Sequence, residues 1–247
     1  MSEPEKDGPI LVFLGPTLRL SEAQEALDAV YLQPVAQGDI VLAAHAFRPR
    51  AMVLIDGQFE DRPAVRHKEL LWAMAQGITV IGAASMGALR AAELHPFGMI
   101  GVGLIYRWYR RWPLTPEDAV AVQSGPAELG FLPLTDALID LQRTFARLMR
   151  QGRVSASQRD ELTAIARATN FRDRSLAACL KKLDLPAAEL KKEIAGQKRR
   201  DALLALSLAP ALAAAPRPGA VRPFIATNTF LRDLEAAHID INLVMHY

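Results

Sequence analysis

Cysteine is nearly absent from this chain of 247 residues, which contains Cys179 and no other cysteine. An intrachain disulfide and a cysteine-rich zinc site are therefore excluded, and a reducing compartment is expected. Aromatic residues make up only 6% of the chain and are not interleaved with the basic residues. A stacking platform for single-stranded nucleic acid is therefore not predicted.

An excess of charge of one sign is also missing. The 29 basic and 27 acidic residues leave a net charge of +2, which gives no overall field for nucleic acid or for an anionic membrane surface. No apolar run approaches the length of a bilayer span, and the polar, acidic segment Met1–Gly8 lacks the pattern of a secretion signal. We therefore expect a cytoplasmic protein with neither membrane nor nucleic acid as partner.

Short apolar runs followed by turn residues indicate buried strands in the first half of the chain. The expected strands are Ile10–Leu14, Asp39–Ala43, Ala51–Ile55, Ile78–Ile81 and Val102–Tyr106. Because these runs are continuous and not alternating, burial on both faces is predicted. Helical patterns lie between the strands, over Ser21–Ala29, over Arg62–Gln76 and from Ser85 to before Pro96. This alternation predicts an α/β fold with an open, mostly parallel, doubly wound sheet.

The pattern becomes helical after Thr115. Amphipathic helices are expected over Thr135–Gln151, Ser155–Ala168, Arg174–Leu183 and Pro186–Leu206. The Ala/Pro-rich stretch Ala209–Pro218 resembles a linker, and the apolar stretch Ile239–Met245 either docks back on the protein or serves an interface. The expected organisation is thus an α/β core over 1–115, a helical region over 116–208, and a linker and tail over 209–247.

The segment Gly82–Arg90 is the most informative for chemistry. Ser85 lies between a predicted buried strand and a helix, where unpaired backbone N–H groups can stabilise developing negative charge. The spacing Gly-x-x-Ser-x-Gly resembles the nucleophile elbow in its logic but differs from it by one residue. Two interpretations follow: Ser85 is a nucleophile, or Ser85 only caps the helix.

Two other predicted positions accompany Ser85. Asp56 follows the third strand, at the sheet edge where α/β proteins bind ligands, although Asp-Gly is also an ordinary turn. His67 can serve as a general base, although a histidine beside a buried stripe is more often structural. Asp56, His67 and Glu69 offer a conceivable ligand set, but no His-x-x-x-His pair supports it, so no metal is predicted.

Weaker signals lie on the same predicted edge. Gly15-Pro16-Thr17 ends the first strand and is either a simple turn or part of the rim; it lacks the glycine spacing and lysine of a phosphate loop. Arg90 and Glu93 have the spacing of a surface ion pair on one helix. The glycines of Phe97–Gly103 do not open a helix in dinucleotide-binding register, so no nicotinamide cofactor is expected, and no other cofactor is predicted.

Six segments, taken in order, resemble the core of TfuA-like proteins. They are Phe13–Thr17, Gly38–Ile40, Ile55–Phe59, His67–Glu69, Gly82–Leu94 and Phe97–Met99. The resemblance extends to about Tyr106, and the ordered set is far more specific than any one segment. The chain departs from the family pattern at Trp108–Trp112, which replaces a Tyr-x-x-Gly-type stretch and leaves the local partner surface unassigned.

The resemblance implies a function in peptide backbone thioamidation, a post-translational modification found in ribosomal peptide biosynthesis. It implies a YcaO-type partner enzyme, which uses ATP to activate a backbone amide and replaces its oxygen with sulfur. It also implies a ubiquitin-like, ThiS-type sulfur carrier protein, from whose C-terminal thiocarboxylate sulfide is released. Self-association is a further expectation for the helical half.

Combined with the residues, the resemblance predicts a thiocarboxylate hydrolase. Ser85 is then the nucleophile, His67 its base, and Asp56 the residue that orients His67, with the backbone N–H groups of Met86 and Gly87 as oxyanion donors. The remaining residues expected to contact substrate are Gly15, Pro16, Thr17, Lys68 and Arg90. Two alternatives stay open: a non-catalytic adaptor that recruits the carrier and the YcaO enzyme, and an unrelated small-molecule hydrolase.

Overall fold

Five parallel strands form one sheet in the computed structural model, which describes residues 8–58, 62–190, 194–215 and 224–245. The strands are β1 (Ile10–Phe13), β2 (Val30–Leu32), β3 (Ala51–Leu54), β4 (Thr79–Ala83) and β5 (Ile100–Val102). Their order in the sheet is β2-β1-β3-β4-β5. Every residue of β1, β3 and β4 is buried, which confirms the prediction from their continuous apolar runs.

Helices cover both faces of the sheet. One face packs against α2 (Asp39–Phe47), α3 (His67–Ala75), α4 (Met86–Leu94) and α5 (Gly103–Arg111). The other face packs against α1 (Leu20–Ala26) and α10 (Gln197–Ala214). The predicted doubly wound α/β fold is therefore confirmed.

Two of the predicted strands are wrong. The stretch Asp39–Ala43 belongs to helix α2, because Gly38 has φ +89° and the Asp39 carboxylate accepts the N–H of Ala36, which together turn the chain into a helix. The second strand is instead the three-residue β2. The predicted strand Val102–Tyr106 is also helical beyond its first residue, since Gly103, at φ +96°, ends β5 and begins α5.

A separate apolar cluster holds the helices of the second half together. These helices are α6 (Leu138–Arg150), α7 (Ala156–Ala168), α8 (Leu176–Lys181) and α9 (Ala187–Leu190). The predicted continuous helix Pro186–Leu206 is wrong, because α10 begins only after Gly196, whose φ is +56°. The predicted linker begins inside α10, which continues to Ala214, while Pro216–Pro218 lie outside the described residues.

The C-terminal segment docks back onto the domain. This segment contains helices α11 (Asn228–Ala236) and α12 (Asn242–Met245). Its residues Phe230, Leu234 and Ile239 are buried in the same core as the sheet. Of the two roles expected for the apolar end of the chain, docking is the one observed. None of the helices within the described ranges combines the length and the apolar run that a bilayer span requires.

Candidate active site at the carboxyl edge of the sheet

The strand order places a crevice between the ends of β1 and β3. In doubly wound sheets of order 2-1-3-4-5, connections leave β1 and β3 toward opposite faces, and ligands bind in the gap that opens there. The segments that follow β1, β3 and β4 contain Gly15–Thr17, Asp56 and Ser85 respectively. The architecture thus brings the predicted rim residues to one edge.

Asp56 is buried, with 2% of its surface exposed, and it is held by the loop after β1. Its Oδ2 accepts the N–H groups of Gly15 and Thr17 at 3.0 and 3.1 Å, and its Oδ1 accepts the Thr17 hydroxyl at 2.6 Å. Gly15 is required in this loop because a Cβ there would lie 2.5 Å from the Pro34 ring. Three donors therefore stabilise an ionised carboxylate at the floor of the crevice.

Ser85 lies on a strained turn between β4 and α4. Its N–H donates to the Ala83 carbonyl oxygen at 2.7 Å, across Ala84, whose φ is +65°. This is the rare γ-turn with positive φ, an unfavourable conformation for a residue with a side chain. The Ser85 side chain makes no capping hydrogen bond to α4. Helix capping therefore does not explain Ser85, whose hydroxyl remains available for chemistry.

Two glycines allow α4 to approach the sheet closely. A Cβ on Gly82 would lie 2.0 Å from the Gly87 carbonyl oxygen, and one on Gly87 would lie 1.8 Å from the Leu54 carbonyl oxygen. The Gly87 N–H donates to the Ile55 carbonyl oxygen at 3.3 Å, so the oxyanion role expected for it is wrong. In the part of the chain that the structure describes, the Met86 N–H has no backbone acceptor, and it remains a candidate donor.

A lysine from the second half of the chain completes the crevice. Lys198, in the first turn of α10, is 5% exposed. Its Nζ donates to the Val120 carbonyl oxygen at 2.8 Å and lies 4.0 Å from the Asp56 Oδ1. Burial lowers the pKa of Lys198, while the carboxylates of Asp56 and Asp140 oppose that shift. A buried lysine of this kind is suited to act as a general base.

These groups line one small cavity of about 50 Å³. It is roofed by residues 117–122, hereafter the roof segment, and its lining includes Pro16, Asp56, Ser85, Met86 and Lys198. The roof segment is anchored by the buried Arg174, which donates to the Asp118 carboxylate at 2.6 Å. A cavity of this size admits a few waters or one small functional group, but not a nucleotide.

Residues 56–175 match the family model described as TfuA-like protein. This part of the chain is TfuA-like. The match begins at Asp56, includes Ser85 and the roof segment, and extends through α7, well beyond the part of the chain whose motifs resemble the family. No curated protein matches the chain. The match supports a role in the context of thioamidation, alongside a YcaO-type system.

The predicted Ser85–His67–Asp56 arrangement is not formed. His67 is exposed at the start of α3, and its Nε2 pairs with Glu93 Oε2 at 2.8 Å. Glu93 follows Ser85 by eight residues along α4, about 12 Å at a rise of about 1.5 Å per residue. Asp56 is engaged by the β1 loop and not by His67. The conceivable ligand set of Asp56, His67 and Glu69 is not assembled either. The Glu69 carboxylate accepts the Gly38 N–H, and His67 pairs with Glu93.

Arg90 and Lys68 also have other partners. Arg90 Nη1 pairs with Glu93 at 2.7 Å, and its Nε donates to the Val65 carbonyl oxygen at 3.2 Å. Lys68 lies over the Phe224 ring, with Nζ 5.6 Å from its centroid. Arg90 therefore ties α4 to the segment before α3, and Lys68 packs against the C-terminal segment. Neither residue lines the cavity.

Sequence reasoning missed Lys198. The run Gln197–Arg200 has the composition of a solvated helix start. A signal was nevertheless present, because Lys198 shares helical spacing with Ala202, Ala205 and Ala209, which are all buried against the sheet. A lysine on the apolar stripe of a helix is a candidate for a functional position.

Proposed function

We propose that this TfuA-like protein hydrolyses the C-terminal thiocarboxylate of a ThiS-type sulfur carrier protein and so supplies sulfide to a YcaO-type enzyme for peptide thioamidation. One observation carries the proposal: the Ser85 hydroxyl, on a strained turn, shares a small cavity with the buried amine of Lys198. Serine and lysine together form a known variant of the nucleophile and base pair.

Lys198 is the proton acceptor in this proposal. One N–H donates to the Val120 carbonyl oxygen, and Asp56 attracts a second from 4.0 Å. A neutral amine with two hydrogens directed in this way has its lone pair left for a third partner. Ser85, which lines the same cavity, is that partner in the proposal.

The reaction proceeds in two acyl-transfer steps. Ser85 Oγ attacks the thiocarboxylate carbon as its proton moves to Lys198 Nζ. The C–S bond then breaks, and the departing sulfur takes that proton and leaves as hydrosulfide, with the carrier esterified to Ser85. Lys198 next removes a proton from water, the hydroxide attacks the ester, and the proton returns to Ser85 Oγ. The products are the carrier carboxylate, hydrosulfide and one proton.

Asp56 has a positioning role in this mechanism. Its charge is balanced by the Gly15 and Thr17 N–H groups and the Thr17 hydroxyl, so it holds the β1 loop while it attracts the Lys198 amine. The Met86 N–H, at the start of α4, is the candidate donor to the oxygen of the tetrahedral intermediate. Pro16 also lines the cavity.

The size of the cavity favours a protein tail over a free small molecule. About 50 Å³ accommodates the terminal group of an extended chain end, while the rest of the carrier remains outside. The helical half, which contributes the roof segment and Lys198, is then the natural surface for the carrier, for the YcaO-type enzyme or for self-association.

The test measures sulfide released from a thiocarboxylated carrier by the purified protein without any YcaO enzyme. We expect turnover by the parent and a loss of several orders of magnitude in Ser85→Ala. Ser207→Ala is the matched control, because Ser207 is exposed on α10 and its hydroxyl donates to the Leu204 carbonyl oxygen. Absence of turnover by the parent would favour the adaptor, and turnover of simple thioesters without a carrier would favour a small-molecule hydrolase.

A further inference from the structure

Helix α10 is capped by a residue from another helix. Its own N-cap position is Gly196, which has no side chain to accept the first N–H groups. The Asp140 carboxylate of α6 takes this place, because its Oδ1 accepts the N–H groups of Gln197 and Lys198. One turn further along α6, the Thr144 hydroxyl accepts the Ala195 N–H at 2.9 Å. The start of α10 is thus fixed by α6.

This cap lies in the same turn as the amine that lines the cavity. The Lys198 backbone N–H donates to the Asp140 carboxylate, while its side-chain Nζ donates to the Val120 carbonyl oxygen and lies 4.0 Å from Asp56 Oδ1. A change in where α10 starts would therefore move the Lys198 amine relative to Ser85. An error of about 1 Å in such a position can cost about 100-fold in rate.

The charge of Asp140 also acts on the amine. Asp140 is half-buried, and the loss of solvent around it raises its pKa, while Lys198 and the two backbone N–H groups oppose that shift. The other charged groups around Lys198 are Asp56 below it and Glu117 in the roof segment. On the exposed side of the turn, Arg199 pairs with Glu22 of α1. On the side of α5, Asp201 accepts the Ile105 N–H, and Arg107 is exposed.

We infer that Asp140 is a positioning residue for the hydrolysis, which fixes the Lys198 amine by capping the first turn of α10. The inference rests on the proposed function for its catalytic meaning. Its physical content, that Asp140 controls the placement and titration of Lys198, can be measured without any turnover.

The test is a pH titration of the full-length protein labelled with [ε-¹³C]lysine and followed by NMR. The chain has seven lysines, and Lys198→Arg identifies the signal of interest. Asp140→Asn keeps an oxygen that can accept the two N–H groups but removes the charge, so we expect the Lys198 titration to move to lower pH. Asp136→Asn is the matched control, because Asp136 accepts the Leu176 N–H at the start of α8 instead. We expect Asp136→Asn to leave the Lys198 titration at its parent position.

The kinetic counterpart is the pH profile of sulfide release. The acidic limb of kcat/KM should move to lower pH in Asp140→Asn, in step with the NMR titration. Asp140→Ala, which removes the cap as well, should lose about 100-fold in kcat while circular dichroism still shows a folded protein. An unmoved Lys198 titration in Asp140→Asn, or an equal movement in Asp136→Asn, overturns the inference. If Asp140→Asn moves the Lys198 titration but the parent protein releases no sulfide, the positioning role of Asp140 stands and the proposed hydrolysis is refuted.

Discussion

The contact between α4 and the sheet offers a quantitative test through Gly87→Ala. The added Cβ would lie 1.8 Å from the Leu54 carbonyl oxygen, whereas ordinary contacts begin at 3.4 Å. Because the obstacle is backbone, the start of α4 must retreat by more than 1 Å. Overpacking of this kind typically costs about 1–3 kcal/mol of the free energy of unfolding. Ser85 precedes the helix by one residue, so the same shift should lower the hydrolysis rate by about 100-fold.

Urea unfolding and sulfide release together measure both effects of Gly87→Ala. Gly125→Ala is the matched control, since its Cβ would meet no atom closer than 3.6 Å. We expect this control to stay within about 0.5 kcal/mol of the parent in stability and to keep its rate. If Gly87→Ala has parent stability and parent rate, close packing at Gly87 is not what positions Ser85.

Two further predictions concern the frame around the site. Burial raises the pKa of Glu69 to about 8 from 4.5, so its protonated form favours the folded state. Its contribution to the free energy of unfolding is full below pH 4.5 and is lost as the pH rises to about 8. Urea unfolding of Glu69→Gln should no longer show that loss of stability. An unchanged loss in Glu69→Gln would contradict the raised pKa of Glu69. Phe230→Ala should cost about 3–5 kcal/mol in the same assay, because Phe230 is fully buried. Ile225→Ala, at an exposed position, should have little effect, and equal losses would show that α11 is not part of the core.

The sheet could be predicted because its strands carry an unambiguous signal. The central strands β1, β3 and β4 are apolar at every residue or nearly so and end in turn residues, which indicates burial on both faces. The edge strand β2 has three half-buried residues, too few for a periodic pattern. The short apolar run after Gly38 predicts a strand but forms helix α2, because such a run fits a buried strand and a buried helix equally well.

The site was predictable only where it depends on strand ends. Asp56, Ser85 and the Gly15–Thr17 loop each follow a strand, so parallel topology alone brings them to one edge. The sequence predicts His67 as the partner of Ser85, because a histidine beside the buried stripe of a helix can reach over the sheet edge as a general base. Lys198 instead arrives from α10, 113 positions after Ser85. The packing of α10 on the sheet depends on tertiary contacts, which the sequence pattern of one helix does not reveal.

The central claim is that Ser85 and Lys198 act as one catalytic unit. The most direct measurement is single-turnover sulfide release from a thiocarboxylated carrier by Ser85→Ala, Lys198→Met and the double variant, each first shown to be folded by circular dichroism. Residues that act as a unit have strongly non-additive effects, so we predict that the double variant loses no more rate than the more damaging single variant. Losses that multiply in the double variant would show that the two residues act independently, and that result would contradict the mechanism.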